Sequence, residues 1–125
     1  MGFGEAVRTC WSKYGDFDGR AARAEFWWWV LFVAVVQILA SAVLGLGLAL
    51  FQNSGFLQWL LVLVFMVIVL AFILPSIAVS VRRLHDRDLS GWWYLLVFVP
   101  FGNLVLFIWY VLPGTTGPNR FDLAA

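Results

Sequence analysis

Between residues 26 and 112, Asp, Glu, Arg and His occur in one place only, the run Arg82-Arg83-Leu84-His85-Asp86-Arg87-Asp88, and Lys not at all. Long apolar runs lie on both sides of it. One Arg, Lys or Asp at the centre of a bilayer disfavours insertion by ~2.5–3.5 kcal/mol, so a cluster of this size at mid-depth is unfavourable by about 10 kcal/mol or more. The cluster therefore belongs at a membrane surface, and it sets where the flanking helices end and begin. With 63% hydrophobic and 12% charged residues, the chain has about half the charge of a soluble domain. Uncharged apolar runs of this length are membrane spans. A chain of 125 residues allows a single domain. Its basic residues sit at span ends rather than in a patch, which argues against nucleic acid as a partner. Cys10 is the only cysteine; it excludes an internal disulfide and is expected to be a buried, inert thiol.

The predicted architecture is an all-α membrane protein with three transmembrane helices and an N-terminal interfacial helix, organised as one membrane domain over 1–125. In residues 1–18, Phe3, Val7, Cys10, Trp11 and Tyr14 recur at helical spacing opposite Glu5, Arg8, Ser12 and Lys13, the pattern of a helix lying on headgroups. Asp16-Phe17-Asp18-Gly19 supplies a turn, with Asp18 the expected cap of the next helix. Span one covers 26–51 behind the anchors Trp27, Trp28 and Trp29. Ala40-Ser41-Ala42 resembles a signal cleavage site, but the apolar run continues past it, which favours a retained span. Gln37, Ser41, Gly45 and Ala49 fall four apart, a small and polar stripe suited to close helix packing or, more sharply, to a polar path.

Span two covers 56–81, with Pro75 expected to kink it, and 82–90 forms a charged loop. Ser90 is an N-cap signal for span three, 91–112. Trp92, Trp93 and Tyr94 at one end of that run and Trp109 and Tyr110 at the other lie about 26 Å apart along a helix, close to the hydrocarbon thickness of ~30 Å. These two belts favour a crossing kinked at Pro100, although Pro100-Phe101-Gly102-Asn103 would also serve a re-entrant hairpin. The tail is 113–125.

Arg8, Lys13, Arg20 and Arg23 precede span one, and Arg82, Arg83 and Arg87 follow span two. The positive-inside rule then puts the N-terminus and the second loop in the cytoplasm. Both charged patches meet at that surface. Neither Arg20 nor Arg23 is three or four residues from Glu25, so its partner is expected on another helix, among Arg82, Arg83 and His85. Arg82 and Arg83 are also spaced to reach Asp86. The resulting network of Arg20, Arg23, Glu25, Arg82, Arg83, His85 and Asp86 reads as a clamp between spans or as a rim for an anionic ligand.

No catalytic set emerges. Asp18-Gly19-Arg20-Ala21-Ala22-Arg23 resembles the D-G-x-x-A-R core of the CDP-alcohol phosphatidyltransferases. The leading Asp of that signature falls on Gly15, however, its later Gly on Phe32, and its downstream aspartates in an acid-free span, so no carboxylates remain for a metal pair. His85 and Asp86 are adjacent and point about 100° apart on a helix. A lone His makes no metal site, and no cofactor motif is present.

A second resemblance covers most of the chain. It rests on Gly19-Arg20-Ala21 with Arg23, Glu25 and Trp27; on Arg82-Arg83-Leu84-His85-Asp86; on Ser90-Gly91-Trp92-Trp93; on Pro100; and on Gly114-Thr115 through Gly117 to Asn119-Arg120-Phe121. In these the chain resembles the bacterial inner-membrane family known as domain of unknown function 805, departing at Asp122 where that family usually has Gly. The resemblance implies a small polytopic inner-membrane protein and no established activity. The functional expectation is an interaction or assembly module whose cytoplasmic rim binds anionic lipid headgroups. Three helices enclose little interior, so a homo-oligomer or a partner membrane subunit is expected. The alternative is a channel or transporter subunit with Gln37, Ser41 and Asn103 lining a path.

Overall fold

The computed structural model describes residues 2–119 and 121, and all regular structure among them is helical. Arg120 and Asp122, which enter the tail resemblance, lie outside the described residues. The elements in order are α1 (Phe3–Ser12), α2 (Arg23–Leu50), α3 (Gly55–Asp86), a 3₁₀ helix (Gly91–Phe98) and α4 (Gly102–Val111). At 1.5 Å per residue α2 and α3 are each about 40–50 Å long, and both are apolar enough to cross a membrane. They form an antiparallel pair joined at Gln52-Asn53-Ser54. There the Ser54 hydroxyl accepts from the Leu57 amide (3.3 Å), and Gln58 Nε2 donates back to the Leu48 carbonyl (3.1 Å). α3 runs on past the expected span and carries Arg82 to Asp86 on its last turn, with Pro75 inside the helix.

Burial is concentrated at the charged end. Between Val30 and Ala71 no residue is buried, whereas Cys10, Ala21, Phe26, Trp29, Phe72 and Val79 form one core cluster. α1 docks there rather than only lying on headgroups. Its Phe3 ring meets Trp28 and Phe32 edge-on, and Trp11 meets Trp29 and Phe72. The indole Nε1 of Trp29 donates to Ser76 Oγ at 3.1 Å, so the aromatic collar is tied to the turn that holds Pro75.

Two expectations are corrected. Asp18 does not cap α2: the helix begins after Ala22 with no side-chain cap. The intervening residues are instead held by α3, with the Ala21 amide donating to the Arg82 carbonyl (2.9 Å) and the Gly19 carbonyl accepting from His85 Nδ1 (2.8 Å).

The second correction is larger. Residues 91–112 do not form a third crossing kinked at Pro100; they enter and return. The 3₁₀ helix descends for about 16 Å and α4 climbs back for about 15 Å, each about half of a ~30 Å core. Trp93 and Trp109 would lie about 24 Å apart along a continuous helix, yet their ring centroids are 5.7 Å apart. The reversal occurs at Phe101, in the left-handed region at φ 64°. Gly102 follows because the chain doubles back on itself: a β-carbon there would overlap the Leu96 carbonyl.

The hairpin brings the tail back to the charged end, beside the N-terminal segment. Cysteines introduced at Asp16 and Gly117 should therefore be labelled by an impermeant maleimide from one face of sealed vesicles, and a cysteine at Asn53 from the other. Co-labelling of Gly117 with Asn53 would restore the third crossing.

Candidate functional site

Helix ends, not the charges alone, explain the knot. The last four carbonyls of any α-helix have no partner within it, and near a bilayer water is scarce to serve them. In α3 three of the four are taken up by the residues that follow and by the tail. The Leu84 carbonyl accepts from the Arg87 and Leu89 amides, that of His85 from the Asp88 amide and from Asn119 Nδ2 (2.9 Å), and that of Asp86 from the Thr115 amide (2.6 Å). Gly114 is required beside this last contact, since a β-carbon would run into the Asp86 carboxylate.

The end of α4 is served by side chains. The Tyr110 carbonyl accepts from Trp27 Nε1 and Arg83 Nε, both at 3.2 Å. The Val111 carbonyl accepts from Arg23 (3.3 Å), that of Leu112 from Arg83 Nη2, and that of Pro113 from Arg87 (2.8 Å). Cations at a helix C-terminus also meet the negative end of its dipole. Three arginines thus close one helix.

The carboxylates complete the knot. Glu25, 3% exposed, pairs with the fully buried Arg82 at 2.5 Å. Asp86 takes Arg83 at 2.6 Å and Arg20 at 2.8 Å. Arg20 further donates to the Thr115 and Gly117 carbonyls at 2.7 and 2.8 Å, which pins the tail. Of the partners anticipated for Glu25, Arg82 is the one used, and this leaves Asp86 to Arg83 and Arg20. Arg82 Nε and Nη2 are buried without a hydrogen-bond partner among the described residues. His85 is 8% exposed. Its Nδ1–H donates to Gly19, and its ring lies parallel to Phe121 with centroids 4.0 Å apart.

Cys10 is a member that sequence reasoning did not place here. Its Sγ lies 3.9 Å from Glu25 Oε1. Burial first, and then the Glu25 carboxylate, push the thiol up from 9.0 to about 12, with Arg82 acting in the opposite sense. Its signal was helical phase, because Cys10 lies on the apolar face of α1. The capped carbonyls carried no signal of their own; Gly114 and Asn119 marked the tail without showing what it bound.

The remaining candidates are scattered. Gln37 borders a cleft of about 450 Å³ with Ser76 and Tyr94, whereas Asn103 borders another of about 320 Å³ beside Ser80 and Tyr110. Ser41 and Gly45 are exposed on α2, with nothing within 4 Å of a β-carbon at Gly45. Among the described residues no three His, Cys, Asp or Glu side chains gather as a metal would need.

The family described as "Protein of unknown function (DUF805)" matches residues 14–123, which includes every arginine of the knot and the tail that it holds. The chain belongs to this family. It is 43% identical to "Inner membrane protein YhaI" of Escherichia coli K12 over 111 residues, covering 87% of this chain and 85% of that one. To "Inner membrane protein YhaH" of the same organism it is 40% identical over 112 residues, covering 87% and 86%. To "Uncharacterized protein YiiR" it is 34% identical over 100 residues, covering 79% and 60%. No solved structure matches. The DUF805 match starts after α1, so the helix that contributes Cys10 lies outside it.

Glu25→Ala strands Arg82 as an uncompensated buried charge and should lower stability by about 3–5 kcal/mol. Arg8→Ala, on the exposed face of α1, should change it by no more than about 0.5 kcal/mol. Unfolding of both variants in mixed detergent and SDS micelles measures the contrast. With its pKa raised, Cys10 carries almost no thiolate at pH 8. Iodoacetamide should accordingly alkylate it far more slowly in the folded protein than in SDS.

Proposed function

We propose that this DUF805 chain is a small inner-membrane assembly module, with its N-terminal segment, charged knot and tail at the cytoplasmic surface. The observation that carries this is a contrast between the two ends of the molecule. The arginines of the knot donate inward to carbonyls and carboxylates of their own chain. By comparison, only 6% of the most apolar stretch of either α2 or α3 is buried. A unit tied at one end and bare along its spans is built to be covered by lipid and by other helices. Ser41, Gly45 and Ala49 form the small-residue stripe on the exposed side of α2, where a second copy can approach closely. The homologues named as inner-membrane proteins support the location, and the excess of basic residues at the knotted end supports the orientation.

Headgroup binding shifts away from the residues first expected. Arg20, Arg82 and Arg83 are engaged internally, so anionic headgroups are met by Arg8, Lys13 and the outer edge of Arg23. Each basic side chain near an anionic surface contributes about 1 kcal/mol. A solute path draws less support, since Gln37 and Asn103 border different clefts and Ser41 is exposed on α2.

Native mass spectrometry from nanodiscs tests both halves of the proposal. The expected species is an oligomer retaining phosphatidylglycerol, with that lipid weakened roughly tenfold by Lys13→Ala with Arg23→Ala, and the oligomer broken by Gly45→Leu. A monomer at every protein-to-lipid ratio would end the assembly reading.

A further inference from the structure

The knot leaves one polar atom facing outward from an otherwise buried side chain. A cleft of about 590 Å³ lies beside it, lined by Phe17, Asp18, His85, Ser90, Gly91 and Trp92 together with Val81 and Phe121. His85 is more than nine-tenths buried. Its Nδ1–H is committed to the Gly19 carbonyl, which fixes Nε2 as the acceptor of the neutral ring. Nε2 has no hydrogen-bond partner among the described residues, and the ring cannot turn without losing both the Gly19 bond and the Phe121 stack. Gly91 keeps the approach open. A β-carbon there would stand 3.4 Å from Nε2 and 2.8 Å from Val81 Cγ1.

The remaining lining selects the sign of the ligand. Asp18, an exposed residue of the lining, supplies a carboxylate, Ser90 Oγ already accepts from the Trp92 amide at 3.3 Å, and Phe17 and Trp92 offer aromatic faces, Trp92 being 79% exposed. The nearby guanidinium of Arg20 is turned away, onto Asp86 and the tail carbonyls. A fixed acceptor, a carboxylate and aromatic faces together suit a cation that can donate hydrogen bonds.

We propose that the His85–Asp18 cleft binds a primary ammonium group, its N–H donating to His85 Nε2 and its charge facing Asp18 and the aromatic rings. The group can come from an aminophospholipid headgroup or from a soluble amine. This site is separate from the anionic contacts proposed above and uses none of their residues.

His85 is the only histidine in the chain, so protein labelled with ¹⁵N-histidine gives one imidazole to watch. In nanodiscs, Nε2 should shift when phosphatidylethanolamine replaces phosphatidylglycerol, and stay unshifted with phosphatidylcholine, whose trimethylated nitrogen has no N–H to donate. A shift produced by free ethanolamine in phosphatidylglycerol discs assigns a soluble amine; a shift confined to the lipid arm assigns the headgroup. Asp18→Asn should weaken the response by about tenfold or more without changing thermal stability, because the Asp18 carboxylate is exposed and outside the knot. Gly91→Ala should block the response. An Nε2 resonance indifferent to all three additions, or equal shifts with ethanolamine and choline headgroups, would overturn the proposal.

Discussion

A carbonyl at the end of a membrane helix has lost both its helical partner and most of its water, and something must donate to it. In this chain two helix C-termini, those of α3 and α4, arrive at the same place. The tail and the N-terminal segment supply amides to one, and Arg23, Arg83, Arg87 and Trp27 supply side-chain donors to the other. Because the donors come from five stretches of sequence, satisfying the carbonyls also closes the fold. The carboxylates of Glu25 and Asp86 then offset the charge that so many guanidinium groups bring into a poorly hydrated site. Seen this way, the ion pairs follow from the capping.

That view explains the preference for arginine. Lys13 is the only lysine in the chain, and it sits outside the knot. A guanidinium holds its donors in a planar fork and spreads them over several acceptors, whereas an ammonium is a compact point. Arg83 uses this fully: it reaches the Tyr110, Leu112 and Ala21 carbonyls and the Asp86 carboxylate. Arg20 does the same for Asp86 and two tail carbonyls. Lysine at either position would leave carbonyls unserved.

What the residues disclosed in advance was set by how local each signal was. Refusal of charge by oil is a local rule, and it brought both patches to one end, with Arg82, Arg83 and His85 as candidate partners of Glu25; the choice of Arg82 came only with the contacts. Long uncharged runs likewise marked α2 and α3. The third run misled for a physical reason: paired aromatic belts about one bilayer apart along a helix are the same residues that, folded at the middle, stand side by side at one interface. Trp93 and Trp109 fit both arrangements until the Leu96–Gly102 contact is known. The breaker Pro100-Phe101-Gly102 was visible, but a kink and a reversal share that chemistry. The roles of Gly19, Gly117 and Asn119 depend on contacts across 34 to 97 positions of sequence, which no spacing rule reaches.

The knot also limits where function can lie. A group already committed to a carbonyl 2.8 Å away must break that bond before it can take a ligand, and in a site this buried the loss is not returned by water. Arg20 and Arg83 are therefore poor recognition groups, however conspicuous they are as a cluster of charge. What remains for interaction is what the closure leaves over. One remainder is the uncovered length of α2 and α3, where packing against lipid or another helix replaces a core that the chain does not build for itself. The other is the Nε2 edge of His85, held rigid by the same contacts that make the rest of the ring unavailable. Held rigid and without a partner among the described residues, that edge can take a donor from outside the chain without breaking any bond of the knot.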